Sequence, residues 1–103
     1  MRRIVWSREA LTDFNGAIGY IAERDETAAE RVAERIEAAI HALAERPHGR
    51  PGRVKGSYEK SVTGLPYVIA YALTTEPDGS ETLNVLHVIH TRRNWPEGEW
   101  PSE

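Results

Sequence analysis

No cysteine occurs among the 103 residues, which excludes disulfides, thiolate metal sites and thiol nucleophiles. No apolar run is long enough to span a bilayer, and the N-terminus has no signal-peptide pattern, so a cytoplasmic setting is the default expectation. An excess of positive charge is missing too: the net charge is −3, which disfavours broad electrostatic binding of nucleic acid. Internal repeats and low-complexity segments are absent. "GRPGRVKG" lacks the Walker ending and a following helix, so it is no phosphate-cradling loop. Ser57, Ser61 and Ser80 have no recognisable base partner or nucleophile elbow. His87 and His90 stand three apart in a strand and so face opposite sides, while His41 and His48 fall on a helix and a loop without ligand spacing. No metal and no other cofactor is expected.

What is present describes one soluble domain with a single modest core: 40% hydrophobic and 28% charged residues. Ile4 to Trp6 reads as a short strand, and Ser7 as the N-cap of a helix. From Arg8 to about Arg24, Leu11, Phe14, Ile18 and Ile21 recur at helical spacing. Gly16 and Gly19 weaken that helix by about 1 kcal/mol each relative to alanine, and close approach of a second helix is the expected offset. The second helix follows a cap at Asp25 or Thr27, carries Ala29, Val32, Ile36, Ala39, Ile40 and Leu43 on one stripe, and stops at Arg46-Pro47.

The period then changes. "VKGSYEKSV" is a polar edge strand, "LPYVIAYALTT" a strong strand, "EPDGSE" a hairpin turn and "TLNVLHVIHT" the next strand. Strict alternation places Leu65, Tyr67, Ile69, Tyr71 and Leu73 on one side of the middle strand; in the last it groups Leu83, Val85, His87 and Ile89. The predicted fold class is α+β: an N-terminal strand, an antiparallel helical hairpin, then a three-stranded antiparallel meander with the helices packed on one sheet face. Residues 1–96 form the domain and 97–103 an acidic C-terminal tail. Both central strands are apolar on both sides, which calls for two covered faces. The hairpin covers one, and about a dozen residues remain after the last strand, so the other face is expected to await a protein partner.

Five basic residues (Arg46, Arg50, Arg53, Lys55, Lys60) stand against one acid, Glu59, between positions 46 and 60, a patch suited to local anion contacts. Its bland alternative is a solvated loop that balances acidic helices.

The ordered set "GRPGRV", "TGLPYVIAY" and an ending "HxxRxWP" (His90, Arg93, Trp95, Pro96) resembles the ParE/RelE superfamily of toxins from type II toxin–antitoxin modules. The resemblance runs from Val5 to Pro96, and the ending stands nearer ParE, the gyrase-directed branch also labelled plasmid stabilisation proteins. It implies a toxin held inactive by a ParD-like antitoxin with a ribbon-helix-helix DNA-binding N-terminus, so that DNA is contacted only indirectly. It implies DNA gyrase as the target. RelE-type relatives instead cleave ribosome-bound messenger RNA, with an arginine projecting from the middle strand. The positions for it here hold Val68 and Ala70, which leaves little to neutralise a developing phosphorane.

The resulting expectation is a toxin that acts by binding. Arg50, Arg53, Lys55, Arg93 and Trp95 are the target-binding candidates; Leu11, Phe14, Ile18, Tyr67, Ile69 and Tyr71 are those for the antitoxin. In the alternative, a RelE-like messenger RNA endonuclease, His90, Arg92 and Arg93 would do the chemistry. A third class is a toxin-derived fold kept as an inert interaction module. The loop arginines and those after the last strand should meet at one end of the sheet. As exposed charges they should add little to stability, roughly 0–1 kcal/mol for a surface pair.

Overall fold

The computed structural model describes residues 1–101. Seven elements follow one another: β1 (Arg3–Trp6), α1 (Arg8–Ala22), α2 (Glu26–Glu45), β2 (Arg50–Pro51), β3 (Tyr58–Ser61), β4 (Tyr67–Thr75) and β5 (Glu81–His90). The strands make one sheet in the order β1-β5-β4-β3-β2. The β3-β4-β5 meander is antiparallel, and β1 lies parallel to β5.

Local chemistry sets the helix ends. The Ser7 hydroxyl accepts from the Ala10 N–H at 2.9 Å and donates to the Leu86 carbonyl at 2.8 Å, so one side chain caps α1 and ties it to β5. Asp25 caps α2 through the Ala28 N–H at 3.0 Å. At the start of β4, Gly64 takes φ +78°, which an L side chain rarely adopts, so the turn inside "TGLPYVIAY" depends on glycine there. The segment from Arg50 to Ser57 is more ordered than a plain loop. Arg50–Pro51 pairs with β3, and Ser57 closes a turn by donating to the Val54 carbonyl through both its backbone N–H and its hydroxyl. The edge strand expected from position 54 therefore starts only at Tyr58.

The helices cover one face of the sheet. Ile36, Ile40 and Leu43 of α2 and Ala10 of α1 meet Tyr67, Ile69, Tyr71, Leu83, Val85 and Val88. Strict alternation fails in β5. Pairing steps from Tyr71↔Val85 to Ala70↔His87, so Leu86 is an extra residue and the strand carries a bulge. Val88 and His90 are thereby brought to the side of Leu83 and Val85, and His87 and Ile89 move to the other side. The glycines also behave differently from expectation. A Cβ at Gly16 or Gly19 would meet nothing within 4 Å, so α1 exposes them, and α2 approaches elsewhere.

The second sheet face is not left open. Val68, Ala70 and Ile89 are buried, and no residue of β4 or β5 is among the exposed large hydrophobics of the described chain. Residues after β5 turn back across this face: the Gly98 N–H donates to the Arg53 carbonyl at 3.0 Å, and Trp100 packs on His87 with ring centroids 4.7 Å apart. A dozen residues suffice because two of them are tryptophans, which bury a large area for their number. Within the expected acidic tail, Gly98 and Trp100 thus lie against the rest of the domain; positions 102–103 of that tail lie outside the described residues.

Candidate functional site

Where the carboxyl ends of β5 and the β2 segment meet, a cleft of about 230 Å³ opens on the second sheet face. Val68 and Ile89 form its floor, Trp95 one wall, and Arg50, Arg53 and Arg93 its charged rim. Four of the five expected target-binding residues are thus assembled in one place. Lys55, the fifth, is exposed and does not line this cleft.

Glu59 organises the rim. It is 3% exposed, accepts from the Arg53 backbone N–H at 2.7 Å and from the Arg53 guanidinium at 2.9 Å, and lies 3.4 Å from Arg50. A carboxylate that deep needs donors on every side, so it draws the arginine loop onto the sheet. The Arg53 guanidinium also lies over the Trp95 ring, 4.2 Å from its centroid. Arg53 is therefore not the exposed, stability-neutral charge that its sequence context suggests. Arg50 is, with 64% of its side chain exposed. Arg93 donates its backbone N–H to the His90 carbonyl at 3.0 Å and its guanidinium to the Pro101 carbonyl at 3.3 Å.

His90 borders this cleft and a shallower groove beside α1 that Asp13, Ala17, Tyr20 and Tyr67 line. Its Nδ1 accepts from the Arg92 N–H at 3.1 Å, and its ring meets Tyr67 edge-on at 5.2 Å. Among the described residues no carboxylate pairs with it, and Arg92 is exposed and lines neither cavity. Burial raises the Tyr67 phenol above its ordinary pKa, so Tyr67 stays a neutral hydroxyl at physiological pH.

The antitoxin candidates divide. Leu11 is 46% exposed and Tyr20, further along α1, 61%. Phe14 and Ile18 are half-buried, Phe14 packing edge-on against Trp6 at 5.2 Å. Ile69 and Tyr71 are core residues beneath the helices and present no such surface, which corrects their assignment to a partner, while Tyr67, mostly buried, still reaches the groove beside α1. Their alternation marks the sheet face that the hairpin itself covers.

The family model described as "ParE toxin of type II toxin-antitoxin system, parDE" matches residues 4–95. The chain belongs to this family. It is 38% identical over 97 residues to the candidate toxin Y4kP of Sinorhizobium fredii, covering 93% of this chain and 95% of that one. With Toxin RelE2 of Caulobacter vibrioides it shares 32% identity over 92 residues, covering 89% of this chain and 94% of the relative. Its fold matches a solved chain titled "Chromosomal ParDE TA system from P. aeruginosa", with a TM-score of 0.76 at 16% identity, over 89% of this chain and 98% of that one.

Three residues that organise this ParE-family chain escape sequence reasoning. Glu59 looks like a surface residue of a polar strand. Asp13 sits on a helix face, yet its carboxylate accepts from His87 Nδ1 at 2.9 Å and from the Val88 N–H at 3.0 Å. It thereby satisfies β5 where β1 has ended. Trp100 stands among acids but stacks between His87 and Trp95. The one available signal was tryptophan itself, a costly side chain to leave in water.

Proposed function

We propose that this ParE-family toxin acts by binding rather than by cleavage, with DNA gyrase as its target and a ParD-like antitoxin as its neutralising partner in the cytoplasm. The observation that supports binding is the composition of the cleft. Its floor is the apolar pair Val68 and Ile89, and its arginines are on the rim. Phosphodiester cleavage needs a positioned acid and base with a cation on the developing charge. Here His90 spends Nδ1 on the Arg92 N–H. Arg50, Arg53, Arg93 and Trp95 are read as the target surface.

The antitoxin is read onto α1, where Leu11 and Tyr20 are exposed beside Phe14 and Ile18. An amphipathic antitoxin helix would lay its i, i+3, i+4 residues there. Leu11→Lys should weaken antitoxin binding at least tenfold without lowering the melting temperature.

The deciding experiment runs two assays on one preparation. Added toxin should lower gyrase supercoiling or accumulate cleaved DNA complexes, and should leave ribosome-bound message intact. The second reading, messenger RNA cleavage, is favoured by the similarity to Toxin RelE2. Codon-specific cleavage that is lost in His90→Ala or Arg93→Ala would establish it instead.

A further inference from the structure

Three guanidinium groups share the cleft rim, and one carboxylate, Glu59, answers two of them. Among the described residues Arg93 has a backbone carbonyl as its partner and no acid. The rim therefore holds an excess of positive charge on a chain whose net charge is −3. Fixed guanidinium forks favour planar, bidentate oxyanions. The remaining walls narrow the choice. Val68 and Ile89 offer an apolar floor, Trp95 an aromatic wall, and Ser61 and Thr91 hydroxyls at the mouth. A carboxylate on a short aliphatic stem uses all of these; a bare phosphate leaves the floor unused. A long polyanion meets opposition, since Glu97 stands with Arg50 and Arg53 around the adjoining hollow.

We propose that the cleft is a receptor for one acidic side chain, glutamate or aspartate, presented by a protein partner. This rests on reading the cleft as the target surface and adds the chemistry of what enters it. The stem lies over Val68 and Ile89, and the carboxylate bridges Arg50 and Arg93. Glu59 is a positioning residue: by holding Arg53 against Trp95 it keeps that wall in place, and its longer 3.4 Å contact leaves the exposed Arg50 with further donors for the ligand beside Arg93.

The test is a titration of the isotope-labelled full chain, followed through the Trp95 indole N–H resonance. The probes are a five-residue peptide with one central glutamate, its glutamine counterpart, inorganic phosphate and a ten-nucleotide single-stranded DNA. The glutamate peptide should shift the resonance saturably, and the others should bind at least tenfold more weakly. Arg93→Ala and the exposed Arg50→Ala should each weaken the glutamate peptide about tenfold while keeping the wild-type melting temperature. Arg93→Lys, which keeps the charge and loses the fork, should recover only part. Equal response to the glutamine peptide, tighter binding of phosphate or DNA, or no saturable shift overturns the receptor. Gyrase supercoiling, run alongside, separates the two ideas. Inhibition that persists in Arg93→Ala and is not relieved by the peptide overturns the acidic-side-chain receptor and leaves gyrase as target. Peptide binding without any effect on gyrase overturns the target and leaves the receptor.

Discussion

Arg53→Ala is the perturbation on which structure and sequence disagree most sharply. As a loop arginine on an acidic protein it should cost roughly 0–1 kcal/mol. Its surroundings give a larger figure. Glu59, 3% exposed, would keep the backbone N–H at position 53 and the more distant Arg50, but would lose the guanidinium at 2.9 Å. A hydrogen bond to a charged group contributes about 1.5–3 kcal/mol. The stack on Trp95 adds about 0.5–1 kcal/mol. Stranding a buried charge outright costs about 3–5 kcal/mol, and the two remaining donors keep the loss below that ceiling. The expected destabilisation is about 2–4 kcal/mol, or roughly 10–20 °C in melting temperature for a domain of this size. Thermal unfolding followed by circular dichroism measures it, and a double-mutant cycle with Glu59→Gln assigns it. In the glutamine background the same replacement should cost only about 1 kcal/mol, since no buried charge is then left behind. A shift under about 3 °C in the single variant, or strict additivity in the cycle, would refute Glu59 as the anchor of this loop.

Gly49→Ala should also destabilise, by about 1–3 kcal/mol, because its Cβ would stand 2.5 Å from the Tyr71 hydroxyl and 2.7 Å from the Glu59 carbonyl; denaturant midpoints would show it. Trp100→Ala should lower the melting temperature and increase binding of a hydrophobic dye, as the covered sheet face loses its lid over His87; unchanged dye binding would mean the segment does not shield that face. Alkaline pH supplies the last test. Burial raises the phenols of Tyr67 and Tyr71, although the Gly49 N–H donated to Tyr71 opposes the rise. The unfolded chain then releases these protons first, at its ordinary value of about 10, so stability should fall as pH rises past that point. Tyr67→Phe should flatten this fall in unfolding free energy measured from pH 9 to 11.

Both helices, the strong strand "LPYVIAYALTT" and its hairpin are legible because apolar spacing and turn residues act locally. The grouping of Arg50, Arg53, Arg93 and Trp95 is legible through the resemblance, which supplies the topology that brings two distant segments together. Alternation along β4 reports two faces but not which element covers each, so it does not distinguish a partner-facing row from the core row that holds Ile69 and Tyr71. The bulge at Leu86 is silent because β5 is apolar on both sides, so an extra residue leaves no break in pattern. Glu59 and Trp100 are silent for a different cause. The partners that make their burial favourable are Arg53, Arg50, His87 and Trp95, and those come near only once the chain has folded.

The parallel pairing of β1 with β5 sets a condition on when this chain can become whole. Arg2 and Glu81, which share an ion pair at 2.7 Å beside that seam, are 79 positions apart, as are Ser7 and Leu86. Strand β1 has its neighbour in β5, with every other element of the fold between them in the chain, so closure must await synthesis of β5. Contacts of such long range are slow to form, because the intervening loop must be ordered before they reward it. An incomplete nascent chain can build its helical hairpin but has no β5 on which to seat it. Without that strand there is no seam, no seat for the closing tryptophans and no arginine rim.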